Sequence, residues 1–483
     1  MNMKLVWGVL VATAITWTLG FSPVGHSQPV LADIEKDDAA LEEWAYSLGL
    51  QAYAFGLPLT VYKREYVIRT DREKVDALRD TCCYAMINEV GHKFTLSSAN
   101  DGTQYSPNFD TVYSAALVDS TDEPIILSVP DIPGRYWGVE VANPYTENLF
   151  YLGSRATDGK GGHHAFIAPG WEGTLPDGVV PHRLEYSSAM FILRIGVAPG
   201  DDDDIVAVNA LQRQVKLTSL SNFRAGKLGE ASMPASAREM GRASGAFAVF
   251  YAVADLMGRY PPDASHQSLV SQFAVIGLVP GQPFDPAALK PPIRRGLLRA
   301  LETGPGVMSW KYQNRGRVYQ GVWDHLPEGR WGYDYLGRAA GATAGLFLND
   351  REEALYISTF KSSDGEYFDG SKSYQLHFAA DELPPMLEHG FWSFTMYGPD
   401  FRMVKNSINR FAISDRDEGV EYNEDGSLDI YIQHTPPEGH ESNWLPAPAE
   451  GLFRIIYRIY LPEEAVHNPE TLGNYIPYIG VSD

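Results

Sequence analysis

The chain has 483 residues and a formal net charge of -22, with 61 acidic against 39 basic side chains. Nucleic acid and anionic membrane surfaces carry the same sign and would repel it at long range, so both are set aside as partners. With 44% hydrophobic and 12% aromatic residues the sequence can bury large cores, and its length asks for several domains rather than one.

Met1 to Lys4 is a short segment with one basic residue, Leu5 to Phe21 is uncharged and apolar, and small and polar residues run on to Ala32. That order predicts a signal peptide over residues 1–32, cleaved near Ala32, and hence a periplasmic or secreted protein. The apolar run falls short of the roughly 20 residues of a bilayer span, so no stable membrane anchor is expected. Leu41, Trp44, Leu48 and Tyr53 recur at helical spacing until Gly56 and Pro58, which predicts a leading helix within residues 33–94, packed on a first β-sandwich. Cys82 and Cys83 are adjacent, with Cα atoms about 3.8 Å apart, which favours two small buried side chains over an ordinary disulfide.

Residues 95–200 have the texture of that β-sandwich: short runs such as PIILSVP, RYWGVEVANP and SAMFILRIGVA, separated by turns. Asp201 to Asp204 then caps a helical pattern through Ile205, Val208, Leu211 and Val215. Further helical faces, with Phe247, Phe250 and Ala254 and then Leu269, Phe273 and Ile276, make residues 201–350 an α-helical domain. Strand texture returns over 351–483 in KSYQLHFA, FWSFTMYG, SLDIYIQHT and GLFRIIYRIYLP. The NEDGS turn before Leu428 predicts a tight hairpin. In the last run Phe453, Ile455, Tyr457 and Ile459 alternate with positions that include Arg454 and Arg458, giving one apolar and one cationic face.

An ordered set of motifs resembles the paired domain-of-unknown-function families 1254 and 1214, which commonly occur in one exported bacterial protein. AYAFGLPL (Ala52 to Leu59), SPNFDTVYSAALVD (Ser106 to Asp119), NLFYLGSRAT (Asn148 to Thr157) and APGWEGTLPDGV (Ala168 to Val179) carry the first. VIGLVPGQPF (Val275 to Phe284) matches a joining segment. FWSFTMYG (Phe391 to Gly398), INRFAIS (Ile408 to Ser414), EDGSLDIYIQ (Glu424 to Gln433), SNWLPAP (Ser442 to Pro448) and RIYLP (Arg458 to Pro462) carry the second. The resemblance implies a multidomain α+β chain: an immunoglobulin-like sandwich, a helical domain and a jelly-roll-like sandwich. It implies no established activity and leaves any cofactor unknown, and RYWGVEVANPYTEN departs from the family pattern near Asn143, where an acidic residue is usual.

The sequence lacks a Gly-x-Ser-x-Gly elbow, a phosphate-binding glycine loop, a dinucleotide fingerprint and a zinc-protease motif. Ser358 to Lys361 spells Ser-x-x-Lys without its companion motifs. The densest polar cluster is Asn100, Asp101, Asn108, Asp110, Thr111 and Tyr113, with Asp119 beyond. In one reading Asp110 and Tyr113 are catalytic, as acid or base and orienting phenol, and Asn108 binds the ligand. In the other, Asn108 and Asp110 satisfy backbone donors in a long turn. Arg410, Asn443 and Trp444 form a second ligand-binding candidate, an anion clamp beside an amide and a stacking ring, or else a rigid plug on the sandwich edge. His163 and His164 point to opposite faces of a strand, and His434, Glu438 and His440 lie in an exposed loop, so no metal site is assigned. The sequence thus predicts an enzyme acting on a small organic molecule by hydrolysis or elimination at a domain junction. The alternative is a binding or envelope protein holding a glycan, lipid fragment or protein partner. An oligomer is compatible with either reading.

Overall fold

The computed structural model describes residues 31–79, 82–101, 106–239, 244–314, 316–325 and 328–482. The leader read over residues 1–32 lies, but for its last two, outside them. Helices are α1 (Leu31–Ile68), α2 (Arg72–Leu78), α3 (Asp202–Gln212), α4 (Leu220–Arg224), α5 (Ala248–Arg259), α6 (Gln267–Val270), α7 (Pro291–Gln313), α8 (Tyr335–Ala344) and α9 (Glu464–His467). Strands of the first half are β1 (Gly91–Lys93), β2 (Thr111–Asp119), β3 (Ile125–Val129), β4 (Trp137–Ala142), β5 (Asn148–Gly153), β6 (Gly162–Ile167), β7 (Val179–Arg183), β8 (Ser188–Gly196) and β9 (Lys216–Ser219). Those of the second are β10 (Val318–Tyr319), β11 (Trp323–His325), β12 (Ala354–Thr359), β13 (Tyr374–Phe378), β14 (Met386–Tyr397), β15 (Ala412–Ser414), β16 (Leu428–Gln433), β17 (Trp444–Pro446), β18 (Arg454–Pro462) and β19 (Tyr478–Val481).

Among the described residues the strands form four sheets in two pairs. In the first half a sheet ordered β1-β2-β8-β4-β5 faces one ordered β7-β6-β3-β9. Val112, Val139, Phe191 and Leu193 from one and Ile125, Leu127, Phe166 and Leu217 from the other close a shared core. In the second half β10-β11-β12-β18-β14-β15 faces β17-β16-β13-β19, and Ile357, Phe394 and Tyr457 meet Leu376, Ile430 and Ile479. The pairings are antiparallel except β6 with β7 and β16 with β17. The chain is therefore a multidomain mixture of helices and sheets. Among the described residues no helix is long and apolar enough to cross a membrane.

α1 overruns the stop that Gly56 and Pro58 predict. Ala45, Leu48, Ala52, Phe55, Leu59, Tyr62 and Tyr66 are buried along it, whereas Trp44 is half exposed. α5, α7 and α8 pack around it, and this burial outweighs the roughly 3 kcal/mol that an interior proline costs. Gly56 is needed for contact rather than termination, because a Cβ there would stand 2.3 Å from Val253 Cγ2 of α5. Asp201 caps α3 by accepting from the backbone of Asp203 and Asp204, and Arg135 grips Asp204 with two bonds of 2.7 and 2.8 Å. α3 and β9 do not join the helical core. Val208 and Leu217 enter the core of the first sheet pair, where β9 pairs with β3. The Asp425–Gly426 turn forms, but it leads into β16 without a preceding partner strand, since β16 pairs with β13 and β17.

Candidate functional site

Alternation decides what lies between the two sheet pairs. On β18 the odd positions Ile455, Tyr457 and Ile459 enter the core of the second pair, so Arg454, Arg458 and Tyr460 project from the opposite face. Register adds Tyr356 of β12 and Ser393 of β14 beside Arg458, and Phe391 beside Tyr460. The first pair answers with the face its core does not use. There Tyr113 of β2 stands opposite Arg194 of β8, and Glu140 of β4 lies two residues beyond Arg194's other partner, Gly138.

These two polar faces meet. Ser393 Oγ donates to Asp110 Oδ2 at 2.7 Å, and Arg416 Nη2 reaches Asp110 Oδ1 at 3.4 Å while its guanidinium covers the Phe391 ring. Asn108 holds the Asp110 N–H through its side-chain oxygen and donates its amide to Tyr460 Oη. Arg458 donates to Thr395, to Tyr397 Oη and, across the junction, to the Ser106 carbonyl at 3.2 Å. Further along, Arg194 donates to Glu140 Oε2 at 2.6 Å and to Asn349 at 3.0 Å, and Asn349 in turn donates to Tyr356 Oη. Tyr136 and Arg155 both donate to Glu353, at 3.1 and 3.0 Å. Arg155 also lines an open cleft of about 430 Å³, together with Glu352, Leu387, Glu463 and His467.

Burial governs the electrostatics. It pushes the Glu140 carboxyl up to about 7 against the pull of Arg194, and Asp415, whose carboxylate accepts from the Trp392 N–H, also up to about 7. Glu353 is raised for the same reason. The Tyr113, Tyr136 and Tyr460 phenols are pushed up by burial and stay protonated at neutral pH. Tyr113 and Tyr356 nonetheless keep part of their surface accessible. The layer can therefore present phenol and guanidinium donors to a negative charge, with a carboxyl near neutrality that can give or take a proton.

Of the residues singled out in the sequence, Asn108, Asp110 and Tyr113 lie in this layer. Arg410, Asn443 and Trp444 come together elsewhere. Arg410 Nη1 donates to the carbonyls of Glu441, Ser442 and Trp444, Asn443 bridges Glu421 and Asp429, and Trp444 is buried with its indole donating to Gln433. These contacts fit a plug, and Arg416 is the arginine that reaches Asp110. Asp101 pairs with Lys93 at 2.7 Å, and Asp119 accepts from Tyr66 and Thr121. Ser358 is bonded by Arg454 in the layer, while Lys361 lies over Tyr367. His163 and His164 do diverge, one bonding Ser128 and the other His182. The Sγ atoms of Cys82 and Cys83 stand 3.1 Å apart, beyond covalent distance.

Sequence reasoning missed Arg194, Glu140, Tyr136, Tyr356 and Glu353. A signal existed for the first two: each is a lone charge inside an apolar strand, WGVEVA and FILRIG.

The comparisons with known proteins divide the chain in the same way. The model described as Protein of unknown function (DUF1254) matches residues 87–219, and that described as Protein of unknown function (DUF1214) matches 353–464. Each of these two stretches is similar to its family. The DUF1254 match takes in α3 and β9, and the polar layer lies between the stretch matched by DUF1254 and the stretch matched by DUF1214. The crystal structure of the VPA0106 protein from Vibrio parahaemolyticus is similar in fold, with a TM-score of 0.65 at 23% identity over 91% of this chain and 100% of that one. A protein from Burkholderia cenocepacia aligns over 93% of this chain and 96% of its own, at 12% identity and a TM-score of 0.41. Curated proteins yield no match.

Proposed function

We propose that the protein is an exported enzyme that takes a small organic molecule into the layer between its DUF1254 and DUF1214 domains and acts on it by hydrolysis or elimination. The observation that carries this reading is Asp110: a carboxylate of the first domain held by Ser393 and Arg416 of the second, in a layer that also holds the buried Arg194 and Arg458 and several phenols. In this reading Arg194 and Arg458 orient a carbonyl or anionic group, Tyr113 donates to developing negative charge, and Asp110 moves the proton. Asn108 fixes Asp110. We read the two sheet pairs as immunoglobulin-like and jelly-roll-like, and the leader as the route to the periplasm or medium.

The test is a turnover screen of the chain without its leader against esters, lactones and β-substituted acids. A substrate whose turnover falls at least about a hundredfold in Asp110→Asn and in Tyr113→Phe, with melting temperature kept, supports the reading. Turnover that survives Asp110→Asn removes Asp110 from the proton transfer. The second reading is a binding protein, favoured by the fact that both Asp110 oxygens already have partners. It predicts ligands that raise the melting temperature and are recovered unchanged.

A further inference from the structure

The helical core holds a cation that the junction chemistry does not use. Arg338 of α8 is 2% exposed, and its Nε and Nη2 are buried without a hydrogen-bond partner among the described residues. No described carboxylate stands within ion-pairing distance of it. Its guanidinium instead lies 5.3 Å from the ring centres of Phe55 and Tyr145 and 5.4 Å from that of Tyr335. Cation–π attraction offsets part of the desolvation cost, but rings cannot accept the in-plane N–H bonds.

The walls of this box are fixed by bonds made elsewhere. Tyr145 donates to the Tyr260 carbonyl at 2.8 Å, and Tyr335 Oη bonds His266 Nδ1 at 2.9 Å. The turn carrying Tyr145 is held by Asn143, whose side-chain oxygen accepts from the N–H groups of Tyr145 and Glu147. Nearby acids are likewise engaged: Glu147 accepts from Trp331 and Gly332, and Glu185 from Asn143. His266 and the 69% exposed Tyr333 continue the aromatic lining outward, with ring centres 5.8 Å apart.

The geometry points to a binding site for a small organic carboxylate with a flat, aryl-type body, distinct from the junction. Nε and Nη2 share one edge of the guanidinium, the edge that takes a carboxylate in two parallel bonds. The body of such a ligand would lie against the tyrosine rings. A bound carboxylate would supply the acceptors that Nε and Nη2 lack and pair a buried charge on which Glu147 acts only from a longer distance. Inorganic phosphate has the charge but no surface to offer the rings, and a neutral amide of the same shape lacks the charge.

Benzoate is the probe, added to the full chain without its leader and followed by melting temperature and calorimetry. Saturable stabilisation by benzoate, with little from benzamide or phosphate, is the expected result. Arg338→Met removes the benzoate response and keeps or raises the ligand-free melting temperature, because it replaces an unpaired buried charge with a side chain of similar volume. Arg338→Lys, which keeps the charge but loses the fork, weakens binding roughly tenfold or more. Asp110→Asn leaves the benzoate response intact. The inference is overturned by an unchanged response in Arg338→Met, by equal stabilisation from benzamide or phosphate, by no response in the native chain, or by its loss in Asp110→Asn, which would put the probe at the junction.

Discussion

Glu140 lies in the middle of β4 with Arg194 at 2.6 Å, yet its carboxyl is raised to about 7 because burial outweighs that attraction. Below about 4.5 both the folded and unfolded chains hold the proton, and between there and about 7 the folded chain alone retains it. Stability therefore falls as pH rises across that window, by about 3 kcal/mol from this group. Denaturant midpoints at pH 5 and pH 8 should differ less in Glu140→Gln than in the native chain; identical differences would remove Glu140 as the source. Removing Arg194 is another matter, since it strands the carboxylate. Arg194→Met should cost about 3–5 kcal/mol, and Glu140→Gln in the same chain should restore part of it.

At the scale of elements, the contact of α1 with α5 depends on the missing side chain at Gly56. Gly56→Ala sets a methyl 2.3 Å from Val253, so it should destabilise by about 1–3 kcal/mol despite the better helix propensity of alanine, and Val253→Ala should relieve it. The parallel pair of β6 with β7 carries a pH dependence of opposite sign to that of Glu140. His182 bonds His164 and stacks on Phe150, and burial lowers its ring to about 4. The unfolded chain protonates near 6.5 while the folded one does not, so stability is lost as pH falls from there toward about 4. His182→Phe should shrink that loss, as read from unfolding midpoints at pH 4.5 and 7.

For the whole molecule, the junction couples the two domains. Asp110 with Ser393, Arg458 with the Ser106 carbonyl and Tyr136 with Glu353 all cross it, so each domain covers charges that the other would leave facing solvent. A single calorimetric transition is expected, and Asp110→Ala with Ser393→Ala should be non-additive by about 0.5–3 kcal/mol. Two well-separated transitions would mean that the layer is a loose contact.

Much of this was legible in the chain itself. Strand texture identified β8 and β14, period-two alternation identified β18, the Asp201 cap announced α3, and ordered motifs pointed to the two families, because these signals are local and each strand or turn carries its own. The polar cluster around Asp110 was visible for the same reason. What the sequence could not say is where the second face of each sheet goes. In GLFRIIYRIYLP the alternation correctly separates Ile455, Tyr457 and Ile459 from Arg454 and Arg458, and a solvated cationic face is its ordinary meaning. Only the tertiary structure decided that both arginines are buried: Arg454 lies against Phe360 and Phe401, and Arg458 reaches the Ser106 carbonyl, 352 residues earlier in the chain. The same holds for Pro58, whose local preference lost to the packing of α5, α7 and α8, and for Arg338, whose isolation is a property of the rings around it.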